Sequence, residues 1–163
     1  MIATWTRAQG TDVMDMVEFS EQMFGTELND IYTVDAHHGA CELTLGIVRQ
    51  FYNPTSELIM TARDQGQLVA WLWVVRGQYT PWSSDEIASV NMLHLDLTRP
   101  VRDRIRLVEQ AIDIWEVWAD VAGIPVISSA SVREDSAGFL RIHQRRGYKI
   151  YGSVAYKRLE LSR

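Results

Sequence analysis

Apolar positions along the chain switch between a spacing of two and a spacing near 3.6, and each switch marks an element. Ile2 to Arg7 reads as a short strand. Thr11 or Asp12 can cap a helix whose apolar positions Val13, Met16, Val17, Met23 and Phe24 recur at helical spacing until Gly25. An irregular polar stretch, Thr26 to Gly39, precedes a second helix with Leu43, Ile47, Val48 and Phe51 on one face and Asn53-Pro54 at its end. Glu57 to Arg63 and Gln67 to Arg76 read as strands, and Asp64-Gln65-Gly66 between them is the signal of a tight hairpin. Thr80 to Asp85 reads as a loop.

Ile87 to Leu97 follows as a strand with Leu93, Leu95 and Leu97 on one face and Met92, His94 and Asp96 on the other. The clearest helix comes next: Val101, Ile105, Val108, Ile112, Trp115, Ala119 and Ala122 step by three and four, and Gly123 and Pro125 end it. Val126 to Val132 reads as a strand of small residues. Asp135 or Ser136 can cap a short helix ending near Arg146, and Gly147 turns the chain into Tyr148 to Leu161, one strand or two. The predicted order is β, α, α, β, β, β, α, β, α, β over one domain, 1–163.

Composition narrows the function. At 163 residues the chain is long enough to bury a core without staples, and one cysteine, Cys41, allows no intrachain disulfide. The longest apolar run, Leu68 to Val75, is far too short to span a bilayer, so no membrane partner is expected, and the absence of a signal-peptide pattern points to the cytoplasm. A net charge of -5 argues against nucleic acid as the main partner. The sign is uneven, however: Arg99, Arg102, Arg104, Arg106, Arg141, Arg145 and Arg146 fall in the C-terminal part, where an anionic ligand can be held.

The element order, with Phe139-Leu140-Arg141-Ile142-His143-Gln144-Arg145-Arg146-Gly147-Tyr148 as the best local match, resembles the GCN5-related N-acetyltransferase family. That stretch is similar to the family's short helix and Gly-Phe turn, with Tyr148 in the place of Phe. The resemblance implies an α/β (α+β) fold with a mixed, mostly antiparallel twisted sheet, splayed between its fourth and fifth strands and flanked by about four helices. It implies acetyl-CoA as cofactor and an amine-bearing small molecule or protein as acceptor. One departure stands out. Where family members carry two spaced glycines to cradle pyrophosphate on backbone N–H groups, Thr98-Arg99-Pro100-Val101-Arg102-Asp103-Arg104-Ile105-Arg106 has none. Arg99, Arg102, Arg104 or Arg106 can offer charge-assisted bonds instead, or form a charge-balanced helix face with Glu109, Asp113 and Glu116.

Acetyl transfer to an amine needs a base, donors for the thioester carbonyl and, often, an acid for the leaving thiolate. By resemblance, His94 or Asp96 is placed to act as base, backbone N–H groups near Leu97 as carbonyl donors, and His143 as acid. Ser128, Ser129 and Ser131 make the fifth strand polar, which suits either a pantetheine arm or close packing on Trp115 and Trp118. The segment Asp35 to Glu42, with His37, His38 and Cys41, matches no closed zinc pattern and reads as a helix cap and surface loop. Trp82 is expected to be exposed, where it can line an acceptor pocket or meet a protein partner or a second copy. Two functions stay open: an acetyl-CoA-dependent N-acetyltransferase, and a non-catalytic module on the same fold. The second resembles short acetyltransferase-like proteins of tailed bacteriophages and would place the chain in a virion.

Overall fold

The computed structural model describes residues 3–27, 31–131, 136–152 and 157–158. Among them the chain forms β1 (Thr4–Arg7), a one-turn 3-10 helix (Gly10–Asp12), α1 (Val13–Glu27), α2 (Ala36–Tyr52), β2 (Glu57–Asp64), β3 (Gln67–Thr80), β4 (Ser83–Leu95), α3 (Val101–Val121), β5 (Val126–Ser129) and α4 (Ala137–Arg145). The strands lie in sequence order in one sheet. β1, β2, β3 and β4 pair antiparallel with their neighbours, and β5 runs parallel to β4. The expected mixed, mostly antiparallel sheet with four flanking helices is what the chain adopts.

Period-two alternation sorts each strand's side chains between two apolar layers. Leu72, Val74 and Ala88 pack with Val108, Ala111, Ile112, Trp115 and Trp118 under α3. Ile59 and Trp71 pack with Met16, Val17, Leu43 and Ile47 under α1 and α2. The tryptophans packed into these layers have their N–H groups satisfied: Trp73 donates to Glu57 (2.8 Å), Trp115 to the Tyr148 hydroxyl (2.8 Å) and Trp118 to the Pro54 carbonyl (3.0 Å). The Asp35 carboxylate accepts from His38 N–H at 2.9 Å and caps α2, as expected, but the residues after it that read as a surface loop, up to Glu42, are the first turns of that helix.

Several boundaries differ from the sequence reading. Thr80 to Asp85 is not a loop: β3 runs to Thr80, β4 starts at Ser83, and Pro81 and Trp82 form the turn. The extension is held where the pairing shifts register. Glu86 takes both Arg76 Nε (2.7 Å) and Nη2 (2.6 Å) and also Gly77 N–H (2.9 Å), while Gly77 sits at φ 87°. Trp82 at the tip is 94% exposed, as expected. β4 stops at Leu95 because the Asp96 carboxylate takes Thr98 N–H (3.0 Å) and O–H (2.6 Å) and turns the chain. β5 ends at Ser129. Of the strand expected over Tyr148 to Leu161, residues 148–152 are described and carry no strand, and most of the rest lies outside the described residues, as does Ile2.

Gly46 sets how closely α2 approaches the sheet. A Cβ there would lie 2.7 Å from Ile59 Cδ1, 2.9 Å from Glu57 Oε2 and 3.0 Å from Trp73 Cζ2. Glu57 cannot swing away freely, since it also pairs with Arg49. Alanine normally improves a helix by about 1 kcal/mol over glycine, but overpacking costs about 1–3 kcal/mol. Gly46→Ala should therefore lower the melting temperature, by about 2–4 °C for each net kcal/mol lost in a chain of this size, as read by calorimetry. An unchanged or raised melting temperature would show that α2 sits more loosely than the contacts imply.

Candidate functional site

β4 and β5 pair for four residues, from Ile87↔Val126 to Val90↔Ser129, and then separate. β4 continues beside β3, with Met92 opposite Trp73 and His94 opposite Trp71. The chain after Ser129 leaves the sheet and leads to α4. Between the diverging strands opens a cleft of about 530 Å³, walled by β4 from Val90 on, by α3, by Ser129–Ser131 and by α4. This is the expected splay between the fourth and fifth strands.

His94 lies in the cleft wall, stacked on the Trp71 indole with ring centroids 5.0 Å apart and 23° between the planes. The indole is itself fixed, because its N–H donates to Ser20 Oγ (3.1 Å), whose hydroxyl donates to the Met16 carbonyl (2.6 Å). His94 keeps some exposure through the cleft, yet protein crowds its ring closely enough that burial pushes its pKa down to about 4. It is therefore a neutral imidazole at neutral pH.

Asp96, expected beside His94 as an alternative base, is engaged elsewhere. Besides holding Thr98, it lies 3.6 Å from Arg99 Nε, and it does not line the cleft. His143, expected as the acid, is 1% exposed and turned into the core. Its ring packs against Phe139 (4.2 Å), Tyr148 (4.9 Å) and Trp115 (5.9 Å), Nδ1 bonds the Phe139 carbonyl at 3.0 Å, and burial lowers its pKa. Facing three aromatic rings and absent from the cleft lining, it serves packing between α3 and α4.

The arginines divide by what they touch. Arg99 pairs with the Asp64 carboxylate at 2.7 Å and ties the β2–β3 turn to the start of α3. Arg102 is exposed and outside the cleft, and Arg106 lies with Arg99 and Asp103 at a separate small crevice. Arg104 lines the cleft, with its Nε buried and unpartnered among the described residues. Leu97, Ser129 and Ser131 line it as well, and Ser129 Oγ is also buried without a partner. Arg141 and Arg145, one turn apart on α4, join Arg104 in the lining although neither was singled out from sequence as a site residue. Their spacing from Gly138, three and seven residues on, was the signal available.

The lining suits a ligand with phosphate groups. Three guanidinium groups border the cleft, and among the described residues no carboxylate lines it or pairs with them. A backbone cradle is a poor alternative. Pro100 has no N–H to give at the start of α3, and Asp103 and Arg104 N–H already bond the Pro100 carbonyl at 2.9 and 3.1 Å. The guanidinium side chains hold the donors that glycine-exposed backbone would otherwise supply. Elsewhere, the exposed Cys41 lies 3.9 Å from His37 Nε2, and no cluster of three potential metal ligands occurs among the described residues. No helix there is long and apolar enough to cross a membrane.

Solved structures share this fold. The chain matches the aminoglycoside antibiotic 6'-N-acetyltransferase AAC(6')-Ih of Acinetobacter baumannii at TM-score 0.68 and 14% identity, over 99% of this chain and 100% of that one. It matches AAC(6')-Iy, solved with a bisubstrate analogue built from CoA and acetylneamine, at TM-score 0.69 and 12% identity, over 99% and 100%. A predicted acetyltransferase of Clostridium acetobutylicum, solved with acetyl-CoA, matches at TM-score 0.68 and 14% identity, over 99% and 96%. The chain has the GCN5-related N-acetyltransferase fold. No family model and no curated protein matches its sequence. The GCN5-related acetyltransferase fold is thus adopted here, with its gap between β4 and β5, by a sequence only 12–14% identical to those of the three structures compared.

The two buried histidines make stability depend on pH. His94 stays neutral in the folded chain down to about pH 4, whereas an unfolded histidine gains its proton near pH 6.5. Its contribution is complete above pH 6.5 and is lost as pH falls from there towards 4; the lowered pKa of His143 acts in the same direction. Denaturant unfolding followed from pH 7 to pH 5 should show falling stability, and His94→Gln should flatten that slope. An equal slope in the variant would mean that His94 titrates normally.

Proposed function

We propose that the chain is an acetyl-CoA-dependent N-acetyltransferase acting on a primary amine. One observation carries this reading: the cleft opened by the divergence of β4 and β5, with three guanidinium groups on its α3 and α4 walls and a neutral imidazole on its β4 wall. Acetyl-CoA supplies an activated thioester when bound. Arg104, Arg141 and Arg145 hold its phosphates, and Ser129 and Ser131 give hydroxyl groups to the pantetheine amides. Past Val90, β4 has no partner strand on the cleft side among the described residues, so backbone N–H groups there and near Leu97 polarise the thioester carbonyl.

The reaction forms an N–C bond, breaks the C–S bond and releases a thiol, so one proton leaves the amine and one reaches sulfur. His94 accepts the first, since its ring is unprotonated at neutral pH and faces the cleft, and the imidazolium so formed gives that proton up, through water in the open cleft, to the leaving thiolate. A low pKa makes it a modest base but a constant one, and rate should be insensitive to its titration from pH 6 to 8. Asp96 and Arg99 fix the turn beneath the site, and His143 supports α4. The rival reading, a non-catalytic module of the phage-encoded kind, draws no support from the three structures compared.

Charge-assisted hydrogen bonds contribute about 1.5–3 kcal/mol each, so Arg104→Ala should weaken acetyl-CoA binding roughly tenfold or more at low salt, and Arg141→Ala with Arg145→Ala similarly. His94→Gln should lower kcat by about 10²-fold while calorimetry shows acetyl-CoA affinity within about twofold of the parent. Acetyl-CoA that fails to bind at millimolar concentration would overturn the reading, and a His94→Gln enzyme of full activity would overturn the role of the base.

A further inference from the structure

The cleft passes through the sheet, and its two sides differ in chemistry. Leu93 and Leu95 of β4 pack with the layer under α3, while Met92 packs with the layer under α1 and α2, to which Trp71 beneath His94 also belongs. One cleft touches all four β4 residues, so it joins the two faces of the sheet where β5 has left β4. All three guanidinium groups lie on the α3 and α4 side. The other side is built from Met23 and Phe24 at the end of α1 and from Met92 and His94. Phe24 is backed by Tyr32, with ring centroids 5.7 Å apart and 48° between the planes.

We propose that this α1 side is the acceptor pocket and that it selects a primary amine carried on an apolar, aromatic body, in preference to a polycationic amine. This rests on the acetyltransferase reading for the chemistry, but the pocket follows from the lining alone. Methionine thioethers and an aromatic ring favour an apolar, aromatic ligand through area and sulfur–ring contact. A ligand with several ammonium groups loses water on entry and needs carboxylates in return. Met23, Phe24 and Met92 offer none, and the uncharged His94 gives one acceptor for one amine. The buried Trp71 indole, locked by Ser20, holds the His94 ring stacked on it in place as a fixed surface for an aromatic substrate. The aminoglycoside enzymes of the same fold therefore share the scaffold with this chain without sharing its acceptor.

Ligand-observed NMR titration of the full chain, with phenethylamine and with neamine at physiological salt, tests the proposal. Phenethylamine should saturate with an affinity at least tenfold above that of neamine. Phe24→Leu and Phe24→Ala should weaken it by roughly fivefold or more and change neamine by less than twofold; the leucine variant preserves the fold if alanine does not. Neamine binding as well as or better than phenethylamine, saturation by neither amine, or no effect of either Phe24 variant would each overturn the proposal. A parallel acetyl-CoA titration separates the two claims. Acetyl-CoA binding with neamine preferred sinks the acceptor class alone, whereas phenethylamine selected by a chain that ignores acetyl-CoA upholds the pocket and sinks the acetyltransferase reading.

Discussion

Everything at the candidate site depends on β4 keeping one partner strand and losing the other. On the β3 side its pairing runs to Leu95 opposite Ala70, and Asp96 N–H still bonds the Val69 carbonyl at 2.9 Å. On the β5 side it ends at Val90. A strand released on one edge exposes backbone polar groups that need partners, and its alternating side chains reach both faces at once. The gap therefore leaves room for a ligand that reaches β4 from both faces of the sheet.

Salt bridges decide which cations are left for that ligand. The chain is acidic overall, and most of its well-placed guanidinium groups are consumed by structure. Arg63 holds Asp12 and Asp15, Arg76 holds Glu86, Arg99 holds Asp64, and Arg146 holds Asp113 and Glu116. Those pairs lock the hairpins and helices that frame the cleft. Arg104, Arg141 and Arg145 are outside this set, and all three border the cleft. A net charge of -5 is thus compatible with a locally basic wall.

Much of this was legible in the sequence, for reasons that separate local from tertiary information. α3 was readable because Val101 to Ala122 keeps helical spacing over six turns, and β4 because Met92, His94, Leu93 and Leu95 alternate. The lack of glycine before α3 and the run of arginines there were visible in the sequence. Which arginines border the cleft was not visible, because Arg99 is taken by Asp64, 35 positions away in the sequence, and Arg141 and Arg145 reach the cleft only after α4 docks. The burial of His143 was not visible either: Phe139 and Tyr148 lie within five residues of it, but the Trp115 ring reaches it only when α3 and α4 dock. The β3–β4 extension escaped because Pro81-Trp82 read as the middle of a loop rather than a two-residue turn stabilised by Arg76 and Glu86.

The central claim is that side-chain guanidinium groups, not a glycine cradle, hold a phosphate-bearing ligand in the gap between β4 and β5. Calorimetry of CoA against phosphate-free pantetheine, each at low and high salt, tests it most directly. The account predicts that CoA binds at least 100-fold tighter at low salt, with most of that advantage lost as salt screens the arginines. Equal affinities, or a CoA preference that salt leaves untouched, would contradict it.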